Sequence, residues 1–283
     1  MSSRCANRRL RALAAALGFI FALGGGSSAY AYERVLRVCS DPNNLPFSDR
    51  KGEGFENKIA ELLATDLSAR LEYTWWAQRR GFVRNTLRAG ECDLLLGAPK
   101  GYELALTTLP YYRAGYVFVH RRADGLRLGS LDDPVLRKVR LGVQMIGADF
   151  ANTPPAHAIS KRGITENVIG YPVYGDYGSD SPAARIVNAV AAGEVDVALV
   201  WGPVAGYFVP RAAVPLAITA IGAENDGPGI PFVFDICLAV RKDDTAFRDE
   251  LDGFIDRQRN QLYAILASYG VPLLPLQTRA VPR

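Results

Sequence analysis

The sequence predicts an α/β protein built as two mirrored lobes, and three observations carry that prediction. The first is a duplicated stretch. Ala89-Gly90-Glu91-Cys92-Asp93 runs into Leu94-Leu95-Leu96-Gly97-Ala98-Pro99, and Ala192-Gly193-Glu194-Val195-Asp196 runs into Val197-Ala198-Leu199-Val200-Trp201-Gly202-Pro203. Each copy reads as a helix stopping on a glycine able to take the left-handed conformation, a turn through two acidic positions, and a short apolar strand. The second observation is that neither apolar run alternates. Such a run is buried on both faces, the mark of a parallel strand covered by helices, and its C-terminal end is where open α/β sheets present ligands. The third is the alternation of strand and helix patterns along both halves of the chain.

Arg34 to Cys39 reads as a first strand, followed by a loop, Asp41-Pro42-Asn43-Asn44-Leu45-Pro46-Phe47-Ser48, that Pro and Asn keep out of regular structure. From Glu56, the positions Ile59, Ala60, Leu62, Leu63 and Leu67 share one face of a helix. Leu71 to Trp76 is a strand, Phe82, Val83, Thr86 and Leu87 line a helix ending at Gly90, and the first repeat copy is the third strand. This βαβαβ order favours a parallel sheet with right-handed crossovers. Pro110-Tyr111-Tyr112-Arg113 leads into a strand at Gly115 to Arg121, where the chain crosses to the second lobe.

In the second lobe, Val139 to Gln144 is a strand, Ala156 to Arg162 a helix, Val168 to Tyr171 a strand and Pro182 to Ala192 a helix, Pro182 suiting its first turn. The second repeat copy is the next strand, and Trp201-Gly202-Pro203 opens a short helix through Phe208. After a Gly/Pro/Asn loop between Gly222 and Pro231, Phe232 to Val240 reads as a strand returning to the first lobe. A long last helix with Phe247, Leu251, Phe254, Ile255, Leu262, Ile265 and Leu266 on its apolar stripe stops at Gly270 and Pro272. The expected division is 1–31 leader, 32–113 with 236–283 as lobe 1, and 114–235 as lobe 2. Two lobes crossed twice by extended chain enclose a cleft that closes by hinge motion, the periplasmic solute-binding fold of type II.

Residues 1–31 have the pattern of a secretory signal peptide: a basic start at Arg4, Arg8, Arg9 and Arg11, an apolar run from Leu10 through Leu23, and Ala29-Tyr30-Ala31 as a small-x-small cleavage site. Export to the periplasm is expected, with no membrane span in the mature chain because no later stretch nears the ~20 apolar residues a span needs. The whole chain has 33 basic and 29 acidic residues. The leader carries four Arg and no acid, so the remainder balances at 29 against 29, and no broad attraction to nucleic acid or anionic membrane follows.

Cys39, Cys92 and Cys237 remain after the leader. Cys39 and Cys92 fall on neighbouring strands and are the natural pair. The simplest parallel register argues against it, placing them roughly 13 Å apart at ~3.3 Å per residue where a bridge tolerates about 4.4 to 6.8 Å. The sequence leaves this bridge open.

Catalysis and metal binding find little support. His120 and His157 stand apart, no His/Cys/carboxylate cluster has metal-ligand spacing, and Gly-x-Ser-x-Gly and phosphate-binding Gly loops are absent. Neither enzyme activity, a metal nor a cofactor is expected. The predicted strand ends instead present aromatic and amide groups. Candidate cleft positions are Asp41 and Phe47 after the first strand, Trp76 ending the second, Gln78, Arg79 and Arg80 before the second helix, and Pro99 after the third strand. Tyr112 and Arg113 lie at the first crossing, Gln144 in the second lobe, Trp201 and Gly202 opposite Pro99, and Asp235 at the return crossing. Large aromatics are often simply buried, so their placement at strand ends is what marks them.

Several strings resemble one family. Cys39-Ser40-Asp41-Pro42-Asn43-Asn44-Leu45-Pro46-Phe47-Ser48, Gly52-Glu53-Gly54-Phe55-Glu56-Asn57-Lys58 and Trp75-Trp76-Ala77-Gln78-Arg79-Arg80-Gly81-Phe82-Val83-Arg84-Asn85-Thr86-Leu87 are similar to the quinoprotein dehydrogenase-associated solute-binding family. So are Ala151-Asn152-Thr153-Pro154-Pro155-Ala156-His157-Ala158, Tyr174-Gly175-Asp176-Tyr177 and Val200-Trp201-Gly202-Pro203. The first two strings point towards its XoxJ branch over MxaJ. The resemblance implies a periplasmic accessory or chaperone-like partner of a pyrroloquinoline-quinone (PQQ) methanol dehydrogenase, the lanthanide-dependent enzyme for that branch. A small molecule or a peptide segment would then occupy the cleft. The alternative is the receptor of an ABC importer for a small ligand other than an amino acid. The wider amino-acid-binding family places an Arg after the third strand where this chain has Lys100-Gly101-Tyr102, and an Asp where it has Trp201-Gly202. A zwitterion would therefore lose its charge partners in this cleft.

Overall fold

The computed structural model describes residues 34–146, 152–173, 178, 181–227 and 229–276. The expected leader, Ala151 and Tyr174-Gly175-Asp176-Tyr177 lie outside the described residues.

Strand β1 (Val35–Ser40) turns Leu36 and Val38 into the core. It is followed by a short hairpin, β2 (Asn43–Asn44) and β3 (Ser48–Asp49). Helix α1 (Phe55–Asp66) buries Phe55, Ile59, Ala60 and Leu63 along one face, and β4 (Arg70–Trp75) pairs parallel to β1. Helix α2 (Phe82–Asn85) is shorter than its apolar spacing suggests. The buried Thr86 hydroxyl donates back to the Phe82 carbonyl at 2.7 Å, and Thr86 leaves the helical region at φ −121°, ψ −86°.

Strand β5 (Leu95–Pro99) precedes β6 (Leu106–Arg121), which is longer than the strand expected from Gly115. Pro110 hid its first part. Proline is tolerated in a strand at a bulge, and the ladder shifts register where Pro110 meets Cys237. The second half contains β7 (Leu141–Met145), α3 (Pro154–Lys161), β8 (Val168–Pro172), α4 (Arg185–Ala191) after a 3₁₀ turn at Pro182–Ala184, β9 (Val197–Trp201) and α5 (Gly202–Phe208). Then come β10 (Leu216–Ala220), which the sequence reading did not contain, β11 (Val233–Val240), and α6 (Thr245–Ser268), capped by the Asp244 carboxylate accepting from the Phe247 N–H at 3.2 Å.

The strands pair along one path, β5-β11-β6-β9-β7-β8, with β10 also on β6. The path is nevertheless two sheets. Residues Leu106 to Gly115 of β6 pair with β11, whereas Tyr116 to Arg121 pair with β9 and β10. The partner changes between Gly115 and Tyr116, where the Tyr116 N–H donates to the Phe232 carbonyl at 2.9 Å. The first sheet continues through β5 to β1 by a parallel bridge at Val38 and Leu94. Helices α1 and α6 cover it, while α4 and α3 cover the second sheet, each with its own core. The molecule is thus two α/β lobes joined by two crossing strands.

The duplicated junctions are built alike. Gly90 and Gly193 take φ +76° and +74°, which only glycine adopts without strain. Asp93 accepts from Arg37 Nε at 2.9 Å and Nη2 at 2.8 Å, and from Arg241 Nη2 at 3.0 Å. Asp196 accepts from Arg140 Nη2 at 2.7 Å and Arg121 Nη2 at 2.9 Å. The arginine at the end of each crossing strand also grips junction carbonyls: Arg241 that of Cys92 at 2.8 Å, Arg121 those of Val190 and Val195 at 2.9 Å. The Arg140 and Arg121 guanidiniums hold the Asp196 carboxyl far below the usual range against the opposing effect of burial. For Asp93, burial pushes the pKa up, but Arg37 and Arg241 together win and leave it lowered.

Cys39 and Cys92 are bridged, with Cα atoms 5.4 Å apart. The straight-strand estimate fails because Cys92 precedes β5 in a turn. The Glu91 carbonyl accepts from the Thr74 hydroxyl at 2.7 Å and the Cys92 carbonyl from Arg241, folding the turn back over Cys39. Cys237 is a buried free thiol, pushed up to about 12 chiefly by burial. The bridge closes a span of 53 residues, so opening it should lower stability by about 4 kcal/mol on chain-entropy grounds. Denaturant unfolding with and without reductant measures this, and the Cys39→Ser, Cys92→Ser double variant should match the reduced protein.

Candidate functional site

The loop after β1 folds over the start of α1 and sets the floor of the cleft. The Phe55 N–H donates to the Pro46 carbonyl and the Glu56 N–H to the Phe47 carbonyl, both at 2.8 Å. Asn57 Oδ1 accepts from the Asp49 and Gly54 N–H groups at 3.0 and 3.1 Å. A side chain at Gly54 is impossible, because its Cβ would lie 2.0 Å from the Phe47 carbonyl oxygen. Asp41 organises the same loop, its two oxygens accepting from the Asn43 N–H at 2.8 Å and the Gln78 N–H at 2.6 Å.

Between the lobes lies a cavity of about 330 Å³. Of the expected positions, Asp41, Phe47, Gln78, Pro99, Tyr112, Gln144 and Trp201 line it. Trp201 ends β9 and packs against both lobes' cores. Its backbone N–H donates to Gln144 Oε1 at 2.9 Å, and its ring meets Tyr116 and Phe234 edge-on at 5.2 and 5.8 Å. Buried Gln144 is fixed in turn by the Thr153 hydroxyl, which donates to its carbonyl at 2.6 Å.

Six expected positions lie elsewhere. Arg79 and Arg80 line a second cavity of about 560 Å³ in the first lobe, which meets the first at Asp41, Glu56 and Gln78. Trp76 is exposed on the surface. Arg113 and Asp235 are cross-strand partners between β6 and β11. Buried Arg113 reaches Glu224 at 2.8 Å and Asp235 at 3.7 Å, so they brace the crossing. Gly202 is buried where a Cβ would lie 2.6 Å from the Gly115 carbonyl oxygen, a requirement of the crossing strand's close approach. His120 and His157 are both outside the cavity. Among the described residues no group of His, Cys, Asp or Glu could hold a metal ion, and no helix is long and apolar enough to cross a membrane.

Sequence reasoning missed Glu56, along with Tyr116 and Phe234. Glu56 sits in the first turn of α1 and its carboxyl lines the cavity. Its Oε1 would be only 2.5 Å from a Cβ at Gly97, so glycine there makes the room. Solvent reaches Glu56 through the cleft, leaving it half-buried, but protein surrounds the carboxyl closely enough that burial, reinforced by Asp41, pushes it up to about 8. The available signal was a glutamate in the first turn of a helix, next to Phe55, and a glycine inside an apolar strand. The sequence puts three arginines and two aspartates at the cleft; of these only Asp41 lines the inter-lobe cavity, joined there by Glu56. No lysine or arginine lines the cavity, but two carboxylates do.

A carboxyl whose folded pKa exceeds its unfolded value costs stability as it ionises, so the loss begins near pH 4.5 and is complete above about pH 8. Glu56→Gln should therefore melt like the wild type below about pH 4.5 and at higher temperature above pH 8. Thermal unfolding across that range reads the difference directly.

Two curated proteins named MoxJ match the chain over most of its length. The one from Methylorubrum extorquens is 32% identical, covering 86% of this chain and 82% of that protein; the one from Paracoccus denitrificans is 32% identical, covering 90% and 94%. Among solved structures, the periplasmic binding protein XoxJ from Methylobacterium extorquens AM1 is 35% identical with a TM-score of 0.70, spanning 86% of this chain and 100% of that one. MxaJ from Methlophaga aminisulfidivorans MPT is 28% identical with a TM-score of 0.72, spanning 85% and 100%. No family model matches the chain. The chain belongs to the MoxJ family, and its fold is the type II periplasmic solute-binding fold.

Proposed function

We propose that this protein is a periplasmic accessory binding protein of a PQQ-dependent, lanthanide-dependent methanol dehydrogenase, and that its inter-lobe cleft holds a segment of that enzyme. It acts as a binding protein and not as an enzyme. In this reading residues 1–31 are a secretory signal, residues 32–113 with 236–283 form one jaw, and residues 114–235 form the other. The observation that carries it is the cleft wall. Phe47, Tyr112, Tyr116, Trp201 and Phe234 face a cavity with no guanidinium or ammonium to hold a free amino acid's carboxylate. Arg113 is engaged with Glu224 and Asp235 instead. An unpaired carboxylate brought into such a site costs several kcal/mol in order of magnitude, which disfavours amino-acid capture. Membership of the MoxJ family and the likeness to XoxJ support the same reading.

The test is co-purification of the mature protein with apo and holo dehydrogenase. Association is expected with the apo enzyme, weakened by Trp201→Ala. Because Trp201 also packs on both cores, Ile146→Asp serves as the second variant: Ile146 lines the cavity yet is exposed, so a charge there alters the cleft without emptying the core. Failure of the wild type to associate in either loading state contradicts the proposal, and saturable stabilisation by a small solute alone would point to an importer receptor.

A further inference from the structure

We infer that Glu56 is the anchor for a protonated amino group, so that the cleft takes its ligand by an organic ammonium, either a free small amine or a lysine side chain of a protein segment. This deepens the binding-protein reading of the cleft and does not depend on which partner supplies the amine.

Glu56 is fixed in place yet left without a partner. Its backbone is tied to the Phe47 carbonyl, and Gly97 gives its carboxyl space against β5. Among the described residues, no hydrogen bond or ion pair engages the carboxyl. Asp41 faces the same cavity but spends its oxygens on the Asn43 and Gln78 N–H groups. A half-buried carboxyl that lines the cavity unpaired, where Arg113, Asp93 and Asp196 are all paired, points to a group arriving from outside.

The surroundings select the sign and shape of that group. Two carboxylates and no cation line the inter-lobe cavity, the arginines Arg79, Arg80, Arg84 and Arg88 lining only the adjoining one that Glu56 also borders, so an anionic ligand between the lobes meets repulsion. A neutral apolar ligand would bury Glu56 further with nothing gained. A primary ammonium has three donors on a compact charge, and the aromatic rings of Phe47, Tyr112 and Trp201 in the same wall attract cations through their faces. Burial and the Asp41 carboxylate from the loop after β1 favour the protonated form of Glu56 in the empty cleft; Tyr111 and Tyr112 from β6 stay neutral phenols where Glu56 titrates, and Arg79 and Arg80 ahead of α2 line the adjoining cavity that Glu56 also borders. An ammonium reverses that balance. It binds the carboxylate, and the proton leaves for the buffer.

Calorimetric titration of the mature protein at pH 7, in two buffers of different ionisation enthalpy, tests this with three probes. n-Butylammonium stands for a free amine, Nα-acetyl-lysine amide for a protein side chain, and Nα-acetyl-norleucine amide is the uncharged control. Binding of at least one amine is expected, with release of roughly 0.9 proton for a carboxyl titrating at about 8, and affinity falling as pH drops further. Whichever amine binds more tightly identifies the source. Glu56→Gln should weaken binding about tenfold or more and abolish proton release, while its melting profile reports that it is folded. Equal binding of the norleucine control, unchanged affinity in Glu56→Gln, no proton release, or no binding of either amine overturns the inference. Those outcomes leave the dehydrogenase co-purification unaffected, so the two readings fail separately.

Discussion

Each lobe is locked by one carboxylate shared between two guanidiniums at the turn from helix into strand. In the first lobe Asp93 joins Arg37 on β1 to Arg241 just after β11; in the second Asp196 joins Arg140 ahead of β7 to Arg121 at the end of β6. Each crossing strand therefore ends in an arginine that fastens the lobe it has just entered. Multidentate arginine–carboxylate contacts fix geometry as well as charge. They set where β5 and β9 begin, and hence where Pro99 and Trp201 emerge on opposite walls of the cleft. The disulfide from Cys39 to the turn beside Asp93 adds a covalent tie in one lobe only.

With the lobe frames set, the cleft's chemistry follows from what the strand ends and the α1 loop deliver. Aromatic rings supply area, Gln144 supplies a fixed amide, and Glu56 supplies a carboxyl that burial pushes up to about 8. Burial and Asp41 act on Glu56 in the same direction, whereas at Asp93 and Asp196 the arginines overcome burial. The contrast separates carboxylates that hold the protein together from the one poised to meet a ligand.

Most of the fold was legible because it lies in local pattern: the unbroken apolar runs of β5 and β9, the helical spacing of α1 and α6, the glycines at both junctions. The first part of β6 was not, since Pro110 argues against a strand and only the bulge opposite Cys237 accommodates it. The disulfide was left open because a straight-strand register cannot anticipate a turn that folds back. In the site, aromatics at strand ends were found by position. Arg113, Asp235 and Gly202 were misplaced because charged or small residues at a crossing read alike whether they face the cleft or brace it. Glu56 was missed because its environment is made by Gly97 and the loop above it, a tertiary relation. The arginines ending the two crossing strands, in His120-Arg121 and Val240-Arg241, stood at matching places, but nothing local linked them to the junction carboxylates.

The two carboxylate clamps hold the two lobe frames independently, and equilibrium unfolding of Asp93→Asn, Asp196→Asn and the double variant tests this most directly. Each single change should cost about 1 to 3 kcal/mol near neutral pH, and the two should add to within about 0.5 kcal/mol because the clamps share no partner. Both carboxyls titrate below their unfolded value, so the wild type's advantage is full above about pH 4 and should fade as pH falls below it. Variants as stable as the wild type at pH 7, or a stability difference that grows on acidification, would contradict the claim.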